Sequence, residues 1–207
     1  MFHVATAMPT KAELIAAWVP RQSWAPMNDE LIELVGSFHI DDPEGRVGME
    51  VHLAEAGGTL LQVPLTYRDA PLAGADEALI GEMQHSALGT RWVYDGLRDP
   101  RLVMMLAAVT MTGQGEALGA AVHEGRWYIG PSKVRISGGG WGLQPAPVDG
   151  FDLVRDEGTG SVLRNDRFDL TVYRRPTPGA RPAIGLTATW PGLLAPVVLA
   201  EIAVRAS

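Results

Sequence analysis

The sequence predicts an α+β protein in which antiparallel strands and a few helices occupy the first half and strands alone the second. Three observations carry this. Short runs of alternating apolar and polar residues recur between turn residues, helical spacing is confined to segments before residue 113, and 24 glycines and 15 prolines spread turn signals along all 207 residues. A chain of this size, 46% hydrophobic with six tryptophans, can bury a sizeable core. The change of character near residue 113 divides it into an α+β region, 1–112, and a β-rich region, 113–207, expected to pack against the first.

Thr10 followed by Glu13 is a capping-box signature, so a short helix should begin there, present Leu14, Ile15 and Trp18 as an apolar stripe, and end before Pro20. Strands follow over 31–40, 47–54 and 59–67, separated by Asp41-Asp42-Pro43-Glu44-Gly45 and by Gly57-Gly58, which reads as an antiparallel meander. In the middle strand Val47, Met49, Val51 and Leu53 alternate with Gly48, Glu50, His52 and Ala54. One face is therefore buried, and the other, with Glu50 and His52, is expected to be partly wet, making His52 a surface residue.

A second helix is predicted over 76–88, with Asp76 and Glu77 at its positive end, Leu79, Ile80, Met83 and Leu88 as its apolar side and Gly89 as its left-handed stop. Residues 91–94 read as a short aromatic strand. Asp99-Pro100 supplies an N-cap and a first-turn proline for a third helix over 99–112, apolar on most sides. Beyond it, strands are expected over 117–123, 127–129, 133–136, 151–154, 168–173, 184–190 and 197–204, broken by Gly, Pro and Asp/Asn clusters.

Composition excludes several function classes. The formal charge is −7 and no Lys/Arg cluster is long enough to track a phosphate backbone, so nucleic acid is not an expected partner. The absence of cysteine removes thiolate nucleophiles, disulfides, zinc ribbons and iron–sulfur ligation. No membrane span is expected, because the N-terminus lacks a basic segment followed by a continuous apolar run, and the apolar stretch 193–200 (LLAPVVLA) is short and split by Pro196. That stretch reads as a buried strand or, on another reading, a homo-oligomer contact. A cytoplasmic location and no cofactor are the resulting expectations.

Arg91, Trp92, Tyr94 and Asp95 form the densest polar–aromatic cluster and, with His85, are the candidate ligand- or partner-binding residues, since a sugar is held by an aromatic face beside planar hydrogen-bonding groups. The competing reading places Trp92 and Tyr94, two apart, in the core, with Arg91 and Asp95 paired to turn groups. Glu82 and His85 have the E-x-x-H spacing of half a dimetal site, but a second such pair is missing from the third helix, and no metal is assigned. Asp41, Asp42 and Glu44 could ligate calcium or simply form an acidic turn. The glycines of 137–140 before Trp141 could admit a phosphate or mark a hairpin or bulge. No nucleophile elbow and no sequence neighbourhood joining a histidine to a serine, other than His85-Ser86, is present, so no catalytic residue is assigned. An exposed Trp92, Trp127 or Trp141 would favour saccharide binding.

PTKAELIAAWVPRQSW, GSFHIDDPEGRVGMEV, VPLTYRDAPL, ALIGEMQHSALGTRWVYDG and the DPRLV helix together resemble the N-terminal cap of the maltokinase-type sugar kinases, over roughly residues 5–110, and especially small actinobacterial proteins with a cap-like domain and no kinase body. The resemblance implies a cystatin-like lobe, a curved antiparallel sheet wrapped on a helix. It also implies where chemistry is missing. The kinases work through a His-Gly-Asp-type loop followed by an Asn and a metal-binding Asp, whereas this sequence has no such triplet, no P-loop and only Asn28 and Asn165. The implied role is that of a non-catalytic partner or regulator of a separate sugar kinase or other enzyme of maltose, trehalose or glycogen metabolism. The alternative is a small saccharide-binding protein, or a weak enzyme, with its pocket between the two halves.

Overall fold

The computed structural model describes residues 6–26, 30–123, 126–130, 132–140 and 150–205. The first described elements are β1 (Ala7–Met8) and α1 (Lys11–Trp18), whose capping box is formed: Thr10 Oγ1 accepts from the Glu13 N–H, and the Thr10 N–H donates to Glu13 Oε2 at 2.7 Å. Leu14, Ile15 and Trp18 are buried as their spacing requires, and a 3-10 turn containing Pro20 ends the helix. The meander follows as β2 (Glu33–His39), β3 (Gly48–Ala56) and β4 (Thr59–Arg68), all antiparallel.

The helix predicted over 76–88 does not form. Asp76–Ala78 is one 3-10 turn, Leu79–His85 is strand β5, and β5 pairs antiparallel with β6 (Gly89–Asp95). The reason is a period of two: Gly81 and Met83 lie toward α1 while Glu82 and Gln84 are exposed. Gly81 is where α1 approaches the sheet, since a Cβ there would lie 3.0 Å from Leu14 Cδ2. Gly89, at φ 71°, takes its left-handed conformation in the β5–β6 hairpin rather than at a helix end. These strands form one curled sheet, ordered β1-β5-β6-β4-β3-β2, a half-barrel wrapped on α1.

A 3-10 turn, Gly96–Arg98, leads into α2 (Pro100–Thr112), capped by Asp99 and stopped by Gly113 at φ 73°. The β-rich region follows as a hairpin, β7 (Gly119–His123) with β8 (Arg126–Gly130), and a second antiparallel sheet. That sheet contains β9 (Arg135–Gly139), β10 (Asp152–Glu157), β11 (Gly160–Arg164), β12 (Phe168–Val172), β13 (Gly185–Thr189) and β14 (Val197–Val204), ordered β10-β11-β12-β14-β13-β9. Strand β11 has no counterpart among the sequence expectations; the turn at Gly158, φ 66°, folds it back on β10. Val197, Leu199 and Ala200 are buried in β14, while Leu194 is fully exposed in the preceding turn.

Two cores result. Trp18, Trp24, Val63, Leu65, Met83 and Val93 close α1 against one face of the first sheet. On its other face Phe38, Val51 and Leu53 meet Leu102 and Leu106 of α2, and the same cluster continues into Leu170, Leu186 and Leu199 of the second sheet. Helix α2 is thus apolar on most sides because both sheets touch it. Among the described residues no helix is long and apolar enough to cross a membrane.

Candidate functional site

The register of β6 separates the residues that the sequence grouped. Trp92 and Tyr94 lie opposite Arg68 and Thr66 of β4, and Trp92 also faces Glu82 of β5, so a half-buried indole stands in a row between a carboxylate and a guanidinium. Tyr94 is buried, and its hydroxyl accepts the Leu72 N–H at 2.9 Å. Asp95 is buried and turns to the second sheet. His85 ends β5, where its Nδ1 accepts the N–H groups of Ala87 and Leu88 at 3.2 and 3.1 Å. Arg91 lies opposite Met83 and is half-buried. Because β5 is a strand, Glu82 and His85, three apart, point to opposite faces and cannot form the E-x-x-H half-site.

The Asp95 carboxylate leads to a group that sequence reasoning missed. Arg174 is fully buried where the two sheets meet; its Nη2 donates to Asp95 Oδ2 at 2.6 Å and its Nε to Ser161 Oγ at 3.0 Å, with Asp156 Oδ1 at 3.5 Å. Its guanidinium lies 4.8 Å from the ring centroid of the buried Trp24, within cation–π range. Arg175 donates to the carbonyls of Trp24 and Ala25, both at 2.6 Å. The segment around Trp24 is therefore stitched to the second sheet, while Arg174 Nη1 and Trp24 Nε1 find no hydrogen-bond partner among the described residues. Only the dipeptide Arg174-Arg175 marked this in the sequence, and two adjacent arginines are an ordinary surface pattern.

A second polar cluster lies under the start of α1. Glu50, expected on a wet face, is buried, as is His52 at 3% exposure, so His52 is not a surface residue. The cause is Lys11 and the strand neighbours, which cover that end of the face. Glu50 Oε1 accepts from Ser37 Oγ at 2.7 Å, and Oε2 meets Lys11 Nζ, Tyr67 Oη at 3.2 Å and His52 Nε2 at 3.3 Å. Burial pushes the Glu50 carboxyl up, but the His52 hydrogen bond and the charges around it outweigh burial and hold it well below the usual carboxylate range. Burial and Glu50 push the Tyr67 hydroxyl far above its usual value. A carboxylate so hard to protonate and a phenol so hard to ionise are poor proton-transfer groups near neutral pH.

The acidic turn holds a cation of the protein's own. Asp42 accepts the N–H groups of Glu44, Arg46 and Val47, and Arg101 of α2 lies 3.0 Å from Asp42 Oδ1 and pairs with Glu44. The turn's carboxylates thus have the Arg101 guanidinium as their counter-charge. Beside it, Arg68 holds the Asp99 cap with two hydrogen bonds of 2.7 Å. Gly138 and Gly140 serve close backbone approach, but to the end of α2: a Cβ would fall 2.0 Å from the Val109 carbonyl oxygen and 1.7 Å from that of Met111. Trp141 lies outside the described residues. Among the described residues no three His, Asp or Glu side chains converge as a metal site requires.

A concavity of about 480 Å³ lies between the halves. Asp76 and Glu77 come from the turn before β5, Leu97 and Arg98 from the turn before α2, and Phe151 and Asp152 from the start of β10.

Fold and clusters define an α+β protein in which a helix-wrapped antiparallel half-barrel is joined to a second antiparallel sheet. Residues 18–99, from the end of α1 to the cap of α2, match the family model of the maltokinase N-terminal cap domain, and the chain carries that domain. No curated protein matches the chain.

Proposed function

We propose that this protein is an interaction module, a kinase-type cap mounted on a β-sheet body, that docks on a separate sugar kinase or other sugar-metabolising enzyme. The observation that supports it is the junction at Asp99: the matched cap ends where α2 begins, and α2 carries the core of the first sheet on into a second antiparallel sheet. Mixing the purified protein with a maltokinase-type kinase deprived of its own cap tests this by sedimentation at near-physiological salt. Co-sedimentation with altered kinase activity supports the reading, and independent sedimentation with unchanged activity overturns it.

The cleft between the halves favours a second reading, a small-ligand or saccharide-binding protein. Its volume falls in the range of small-molecule sites, and such sites gather where two packed units meet. Calorimetry that finds no heat with maltose, trehalose, glucosamine or glycogen at millimolar concentration removes that reading.

A further inference from the structure

We propose that the polar cluster under the start of α1 is a proton-operated clasp: when His52 takes up a proton, Lys11 leaves Glu50 and the first turn of α1 comes away from β3. The clasp stands apart from both the docking surface and the cleft. Among the described residues, three groups able to carry a positive charge face the two oxygens of the Glu50 carboxylate. Lys11 Nζ of α1 and His52 Nε2 of β3, the latter at 3.3 Å, share Oε2, and His39 Nε2 of β2 lies 3.6 Å from Oε1. Tyr67 of β4 closes the cluster, its hydroxyl 3.2 Å from both Glu50 Oε2 and His52 Nε2 and its ring 5.3 Å from the Lys11 ammonium. These are the ionisable groups, among the described residues, that touch Glu50 or His52.

With His52 neutral, Lys11 and Glu50 balance as a pair, and the place of Lys11 depends on that balance. It is the first residue of α1, where the helix dipole disfavours a cation, so Glu50 holds it against the field of its own helix. Imidazoles change charge between about pH 8 and pH 5. Once His52 is protonated, two cations share one carboxylate oxygen in a buried site, and with His39 charged as well, three face a single negative charge. His52 cannot withdraw, because its side chain is 4% exposed on a strand flanked by β2 and β4. Lys11 can: its side chain is 40% exposed, and a flexible stem carries the ammonium into water, where it is strongly hydrated. His39 can also turn outward, but it anchors no helix. The Thr10 cap and the buried Leu14, Ile15 and Trp18 do not depend on His52, so the first turn is released while the helix stays.

The test is a nuclear magnetic resonance titration of the full chain with lysine labelled at Cε. The sequence contains only Lys11 and Lys133, and Lys133 donates to the Val35 carbonyl, which does not titrate, so it serves as the internal reference. From pH 8 to pH 5 the Lys11 signal should move toward that of a free lysine with the same midpoint as the His52 ring signal, while Lys133 stays still. Exchange of the Leu14 N–H, which donates to the Thr10 carbonyl, should speed up severalfold relative to its intrinsic rate over the same range. His52→Gln, which offers an uncharged donor, should keep Lys11 in place down to pH 5, and His39→Asn should leave the response standing. Coupling is reciprocal, so in Lys11→Met the His52 ring should bind its proton about threefold more tightly, the range of a partly exposed charge pair. A Lys11 signal that stays fixed while His52 titrates, a His52 ring that does not titrate between these limits, or an equal Lys11 movement in His52→Gln overturns the clasp. If His52→Gln fails to fold, the titration of the unaltered chain and of Lys11→Met still decides.

Discussion

At the scale of single residues Arg174 and Glu50 show what the buried charges contribute. Arg174 has one carboxylate at full hydrogen-bond contact, Asp95, and replacing it with methionine leaves that carboxylate buried with only the Leu97 N–H, at 3.3 Å. Breaking a buried pair from one side costs about 3–5 kcal/mol. We expect Arg174→Met to lower the urea midpoint accordingly, and Asp95→Asn in the same chain to restore part of the loss, a coupling that a double-mutant cycle reads directly. Glu50 is the second charge. Its carboxyl is held below its ordinary value of 4.5, so the folded state binds this proton less readily than the unfolded state. The stabilisation is complete above about pH 4.5 and is lost as pH falls below it. Glu50→Gln should cost about 1–3 kcal/mol at pH 7, because buried donors lose a charged acceptor, and should flatten the stability profile in acid relative to wild type. Asp42, Glu44 and Asp169 are lowered too and contribute to the same acid limb, so the difference between the two profiles is the quantity to measure.

At the scale of elements, stability comes from ends and close approaches. Thr10→Ala removes the side-chain acceptor of α1 and should cost about 1 kcal/mol by thermal or denaturant unfolding. Gly140→Ala should be far more damaging, because the added Cβ would sit 1.7 Å from a backbone oxygen of α2, and only separation of β9 from the helix relieves it. The variant's soluble yield and melting temperature check this. The same features explain what was legible in the sequence. Both α-helices were, because Thr10-Glu13 and Asp99-Pro100 encode their starts in local chemistry. Strand β5 was not. Asp76 and Glu77, the apolar set 79, 80, 83 and 88, and Gly89 imitate a capped helix, and the alternation that makes a strand spans only residues 81–85. The misplaced Glu82–His85 pair followed from that error. The cluster 91–95 was legible as a concentration of chemistry but not as an arrangement, since the partners that split it, Arg68, Leu72 and Arg174, are remote in sequence.

At the scale of the whole molecule the halves share what each would need in order to fold alone. The face of the first sheet carrying Phe38, Val51 and Leu53 is covered by α2 and the second sheet, and its partners there include Leu170, Leu186 and Leu199. The polar links run the same way: Arg174 to Asp95, Arg175 to Trp24 and Ala25, and the Gln62 N–H to the Arg174 carbonyl at 2.8 Å. A fragment of residues 1–112 would keep α2 but expose its far side and leave Asp95 without its cation. We therefore expect the full chain to unfold in one cooperative transition, with far-ultraviolet circular dichroism and tryptophan fluorescence giving the same midpoint. Trp24 at the junction reports the loss of contact between halves while circular dichroism reports both sheets, so separate events would appear as separate midpoints. The 1–112 fragment should bind hydrophobic dye and lack a cooperative transition. A cooperatively melting fragment, or two resolved transitions in the full chain, would show that the shared core is a contact between independent units.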